Sequence, residues 1–194
     1  FNWVHRSVDG GDQTTRYNMI NNYYKPGPLT PTNKSVGHRI LKPESRFTMN
    51  GRKVYGLVYV HGNVVEGNEK VTKNNWDGGV QIESMPDAGE FTKYIKVDRP
   101  HPMPYMTIYP AKKAYNFVLD NAGATFPKRD EVDQRISRTV RTGKPEYVEG
   151  VDVSDVPKFK YRRLPVDSYK KGIITDPREV GGYPEYSGKP YKDS

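Results

Sequence analysis

The stretch His5-Arg6-Ser7-Val8-Asp9-Gly10-Gly11-Asp12 sets a guanidinium and an imidazole beside two carboxylates in a glycine-containing loop. Arg6 presents a planar fork that can pair with a carboxylate through two hydrogen bonds. Asp9 and Asp12 can hold a cation or orient Arg6, with His5 alongside. The competing reading is a polar loop whose aspartates bond their own backbone amides. The D-x-x-D spacing is weak evidence for a metal, since it lacks the fuller pattern of an EF-hand loop. Arg16 and Lys25 flank the next apolar segment and can extend a site for an anion; the plainer reading of each is a solvated charge. Tyr23 and Tyr24 point to opposite faces if extended, so one packs in the core and the other is available to a ligand. His38, His61 and His101 have no partner at metal-ligand or triad spacing and read as structural or exposed. Trp76 reads as a packing anchor.

These residues need elements to position them. Arg16 to Lys25 is rich in aromatic and branched residues and is stopped by Pro26-Gly27-Pro28, which predicts a strand. Phe1-Asn2-Trp3-Val4 reads as a shorter strand, with a polar loop between the two. Residues 29–53 read as loop apart from a brief Arg39-Ile40-Leu41. Val54 to Val65 is the best strand region. Asn2, Asn21-Asn22 and Asn63 each adjoin an aromatic or branched pair, with a turn residue soon after. Strands recurring with an Asn at the bend are what a parallel β-helix uses, its Asn amides stacking from coil to coil, although the unequal spacings require bulging loops.

Val71 to Met85 reads as irregular, and residues 86–110 as a Pro-rich extended connection. Two helices are then predicted. Ala111 to Asp120 starts behind Pro110 and ends near Gly123, with Ala114, Phe117 and Val118 on one face. A second runs from about Arg129 to Thr142 and stops at Gly143, with Val132, Ile136 and Val140 as a narrow apolar stripe that docks on another element. Residues 144–194 read as an irregular, Tyr-, Pro- and Gly-rich tail.

The whole-chain numbers are lean for a self-sufficient core: 194 residues, 34% hydrophobic, 18 Gly and 16 Pro. Part of the core is therefore expected from upstream sequence, as the abrupt start at Phe1 also suggests. With no cysteine, disulfides, Cys-type zinc sites and thiol nucleophiles are excluded together. No apolar run approaches the roughly 20 residues of a membrane span. The net charge of +8 and pI near 9.4 suit either a solvated basic surface or attraction to a polyanion. The charges are spread along the chain and no nucleic-acid module signature is present, so nucleic acid is not expected as a partner.

Several segments, in order, resemble the pectate lyases of polysaccharide lyase family 1. They are Asn21-Asn22-Tyr23-Tyr24-Lys25-Pro26-Gly27-Pro28, Gly62 to Asn68, Val71-Thr72 with Asn75-Trp76, Ala114-Tyr115 to Ala124, Pro127 to Ile136, and Gly181-Gly182-Tyr183-Pro184-Glu185-Tyr186. The resemblance implies a mainly β chain: the last coils of a right-handed parallel β-helix in residues 1–85, a Pro-rich connection and two covering helices in 86–143, and an irregular tail in 144–194, all one domain completed by upstream sequence.

It also implies an enzyme that cleaves a pectate-like acidic polysaccharide by β-elimination. Ca²⁺ acidifies the C5 proton, an Arg removes it, and the setting is secreted, periplasmic or cell-surface. The family's segment of paired His followed by Ser, Arg, Asn, Pro and Arg is absent, so the catalytic Arg and the main calcium ligands are expected upstream, in an N-terminal part that can be a separate chain. On this resemblance His5, Arg6, Arg16 and Lys25 would bind substrate, with Asp9 and Asp12 near the metal. The alternative is a non-catalytic protein that binds acidic polysaccharide.

Overall fold

The computed structural model describes residues 1–5, 7–8, 15–43, 46–47, 53–54, 56–82, 88–123, 125, 128–144, 148–149 and 162–163. The chain divides into two compact units, Phe1–Val118 and Leu119–Ser194.

In the first unit, strand β1 (Arg16–Ile20) and strand β2 (Tyr23–Tyr24) are separated by a bend at Asn21-Asn22. A 3-10 turn at Ser35–His38 and a short antiparallel pair, β3 (Arg46–Phe47) with β4 (Lys53–Val54), follow. The bend repeats further on, where β5 (Leu57–His61) and β6 (Val64–Val65) flank Gly62-Asn63. The two strand-bend-strand pieces lie parallel and in register: Arg16 beside Leu57 through Ile20 beside His61, then Tyr23 beside Val64. Both bends enter the left-handed region, Asn21 at φ 52° and Gly62 at φ 69°, which Asn and Gly tolerate best.

Alternation along β5 buries Val58 and Val60 and turns Tyr59 and His61 outward. The buried valines join Trp3, Tyr24, Ile40, Leu41, Val65 and Val71 in one cluster. Trp3 meets Tyr24 edge-on at 6.2 Å and donates its indole N–H to the Val36 carbonyl at 2.7 Å.

Helix α1 (Glu69–Lys73) follows β6, with the Asn68 side chain accepting from the Val71 amide at its start. Helix α2 (Ala88–Ile95) ends by placing Lys96 in a parallel bridge with Val58, and the Val97 amide donates to the Val58 carbonyl. Helix α3 (Ala111–Asn121) comes next, then helix α4 (Glu131–Thr142) and the antiparallel pair β7 (Val148–Glu149) with β8 (Arg162–Arg163). No helix among the described residues is long and apolar enough to cross a membrane.

The expectation of a mainly β chain carrying the last coils of a parallel β-helix is overturned. Among the described residues the parallel strands form just two pairs, no β-helix is present, and helix outweighs strand. The physical reason lies in two segments that end the strand pattern early. Residues 69–73 wind into helix α1, with Asn68 as its N-cap, in place of a further coil. Residues 88–95 form a helix whose Ile95 is fully buried, not the extended connection that the nearby prolines suggest.

Two further expectations change. Residues 1–4 form no strand; Asn2 sits at φ 58° and its side chain accepts from the Leu29 amide at 2.8 Å. On α3 the buried positions are Ala111 and Leu119, while Phe117 and Val118 are about half exposed. Both predicted helices form, although α4 begins at Glu131, two residues after the expected start, with Asp130 as N-cap and a left-handed Gly143 closing it. The α4 stripe has no fully buried residue.

Candidate functional site

The residues that the sequence singles out are not drawn into one site. Arg6, Asp9 and Asp12 lie outside the described residues. His5 is exposed, and its carbonyl accepts from Arg39 Nη1 at 3.0 Å; Ser7 Oγ donates to the Arg39 or Ile40 carbonyl. His5 and Ser7 are therefore tied to residues 39–40. Arg16 and Lys25 were expected to flank one strand, but the bend at Asn21-Asn22 divides it, leaving Arg16 at the start of β1 and Lys25 after β2. The Lys25 ammonium lies 3.4 Å from the Tyr115 hydroxyl and 5.7 Å from its ring centre.

Tyr23 and Tyr24 do face opposite ways. Tyr24 is in the core, and its hydroxyl pKa is raised by burial. Tyr23 packs its ring on Tyr115 at 4.6 Å and donates its hydroxyl to Glu66 at 2.9 Å. Burial first, then that bond and the Glu66 charge, push the Tyr23 hydroxyl up to about 12. Its ring is therefore packed against Tyr115.

A different place has the geometry of a binding site. A cleft of about 460 Å³ opens where β5, the end of α1 and the segment after α2 meet. Tyr59 and His61, two residues apart on the outward face of β5, stack with ring centres 6.1 Å apart and planes 27° apart. Trp76 forms part of the wall, half-buried against the valine cluster. Lys96 holds its ammonium 5.5 Å from the Trp76 ring centre. Lys73 and Asp98 complete the charged lining, and both are exposed.

The cleft rests on a floor of amides. Asn63, fully buried, accepts at Oδ1 from the Asn22 amide and side chain, both at 2.9 Å. Asn63 Nδ2 donates to the Met19 carbonyl at 2.7 Å. Asn75, also buried, closes a ring with it: Asn75 Oδ1 accepts from the Asn63 amide, and Asn75 Nδ2 donates to the Asn63 carbonyl. Each buried amide thus has partners on both its oxygen and its nitrogen, which fixes the backbone that presents His61 and Trp76.

This arrangement offers aromatic faces for an apolar C–H surface and two ammonium groups for anions. Among the described residues neither Lys73 nor Lys96 has a carboxylate partner, so both charges are available. No three His, Asp or Glu side chains among the described residues converge as a metal-binding group; these residues do not by themselves fit the calcium ion that the resemblance implies.

The sequence carried two faint signals for the cleft. Tyr59 and His61 have the two-residue spacing of one strand face, and Trp76 was identified as an anchor. Nothing in the sequence brings Lys96 to Trp76. His38 and His101 do take structural positions, His38 against Gly78 and His101 with Nε2 at 3.2 Å from the Leu57 carbonyl. No protein-family model, curated protein or solved structure matches this chain.

Proposed function

We propose that this protein binds an acidic polysaccharide, taking a uronate-bearing sugar in the cleft of Tyr59, His61, Trp76, Lys73 and Lys96. The observation that carries the reading is two ammonium groups, neither with a carboxylate partner among the described residues, set beside three aromatic rings in one cleft. A uronate sugar is amphipathic in the same sense, with a C–H face that can lie on a ring and a carboxylate that attracts an ammonium. Exposed lysine contacts contribute only about 0.2–1 kcal/mol each. Affinity therefore rises with the number of sugars engaged, and the +8 net charge steers a polyanion toward the protein.

Affinity electrophoresis in gels containing polygalacturonate tests this. The protein is expected to be retarded by that polymer, less so at high salt, and not by a neutral polysaccharide. Lys73→Ala with Lys96→Ala should remove most of the retardation. Equal retardation by the neutral polymer, or none by either, ends the proposal.

A second reading rests on the ordered resemblance to pectate lyases. On it, the binding cleft belongs to a larger enzyme whose catalytic Arg is supplied by an upstream part. Absorbance from an unsaturated sugar product, formed by the assembled protein on polygalacturonate, is the measurement that supports it.

A further inference from the structure

The cleft is not the only place where an ammonium lies over an aromatic ring. Lys113, exposed on the first turn of α3, holds its ammonium 4.3 Å from the ring centre of Tyr109. Phe117, about half exposed, lies one helical turn further, its ring 5.3 Å from that of Tyr109. The combination matches the one in the cleft: a cation, a ring beneath it, and further aromatic surface beside it.

The two places are joined through one residue. Asn21 donates its backbone amide to the His61 carbonyl at 3.0 Å, and its side-chain Nδ2 to the Tyr109 carbonyl at 3.0 Å. His61 and Gly62 line the cleft, so a single asparagine separates its edge from Tyr109. Packing is tight there. A methyl group at Gly62 would collide with the Asn21 side chain, which keeps the two bends close and the Tyr109 segment fixed against them.

We propose that Tyr109 and Lys113 form a second uronate subsite, continuous with the cleft across Asn21 and Gly62, so that the protein recognises a run of uronates. This rests on the reading of the cleft as an acidic-sugar site and adds to it a requirement for length. A short oligomer fills the cleft alone. A longer one also reaches Lys113, whose contribution appears only when both places are filled by one chain.

Titration calorimetry of the full chain with galacturonate oligomers of two and of eight sugars tests the length requirement. The wild-type protein is expected to bind the octamer more tightly than the dimer. Lys113→Glu should weaken the octamer roughly tenfold, the equivalent of about 1.4 kcal/mol, and leave the dimer unchanged. Lys113→Arg should retain octamer binding. Lys113 is exposed, so unchanged helical circular dichroism will confirm that the variant folds.

Equal weakening of dimer and octamer, or no weakening of either, overturns the second subsite while the cleft stands. If wild type binds neither oligomer, the reading of the cleft falls and the subsite with it.

Discussion

The strand-bend-strand region and α4 are built by opposite means. In the first, stability comes from residues distant in sequence: valines from β5 and β6 packed on Trp3, Ile40 and Leu41, and three asparagines that satisfy one another's amides. In the second, no residue of the helix is fully buried, and the contacts are its own caps and links to the end of α3. Asp130 caps the N-terminus, Gly143 closes the C-terminus, and the Arg129 guanidinium donates to the Leu119 and Ala122 carbonyls and to Ser137 Oγ. A buried polar network stabilises only while every member is paired. A capped surface helix loses its contributions piecemeal. Damage to one region should therefore be cooperative and large, and to the other partial and small.

The largest effect is expected from Asn63→Ala, which leaves the Met19 carbonyl and the Asn22 amide without their partners. A loss of about 3 kcal/mol or more follows from orphaned buried groups at roughly 1–3 kcal/mol each. Urea unfolding measures it, and a loss below about 1 kcal/mol would mean that the network relaxes around the gap. Next comes Gly62→Ala, at about 2 kcal/mol, because the residue adopts φ 69° and a methyl would meet Asn21. The same variant should shift the Tyr59 and His61 resonances in NMR spectra; an unshifted pair would separate the bend from the cleft. Asp130→Ala should cost about 1 kcal/mol, the usual worth of an N-cap. Its signature is loss of helical circular dichroism with the strand region intact, and joint unfolding of both would remove the contrast.

The smallest effect concerns pH. Tyr23 has its pKa raised from 10.0 to about 12 in the folded protein, so it holds its proton more tightly there than when unfolded. Its contribution to stability is complete below pH 10 and is lost as pH rises toward about 12. Tyr23→Phe should flatten the fall in urea midpoint across that window without abolishing it, because Tyr24 is shifted in the same direction. An unchanged fall would show that the Glu66 bond does not discriminate between the two states.

The same contrast explains what could be read early. The start of α3 and the end of α4 follow from Pro110 and Gly143, each acting on its own neighbours in the chain. The Val54–Val65 strand region and the opposed faces of Tyr23 and Tyr24 were legible for a similar reason, since alternation is a two-residue rule. The asparagines were legible as bend residues, but their partners were not. Asn75 comes from the turn after α1, whereas Asn2, which looked equivalent, bonds instead to Leu29. The β-helix expectation failed where residues 69–73 and 88–95 wind into helices, the first capped by Asn68, in place of a further coil and an extended connection.

By itself, then, the sequence determined the two C-terminal helices, the apolar alternation of β5, the cationic balance and the absence of thiol chemistry, all of which depend on composition or near neighbours. Only the tertiary structure decided that Lys96 lies over Trp76 and that Asn21 links the cleft to Tyr109. Those contacts join residues up to 88 positions apart, and no local pattern encodes them. They depend on parallel pairing in register, where a shift of one residue would turn Tyr59 and His61 into the core and dissolve the cleft.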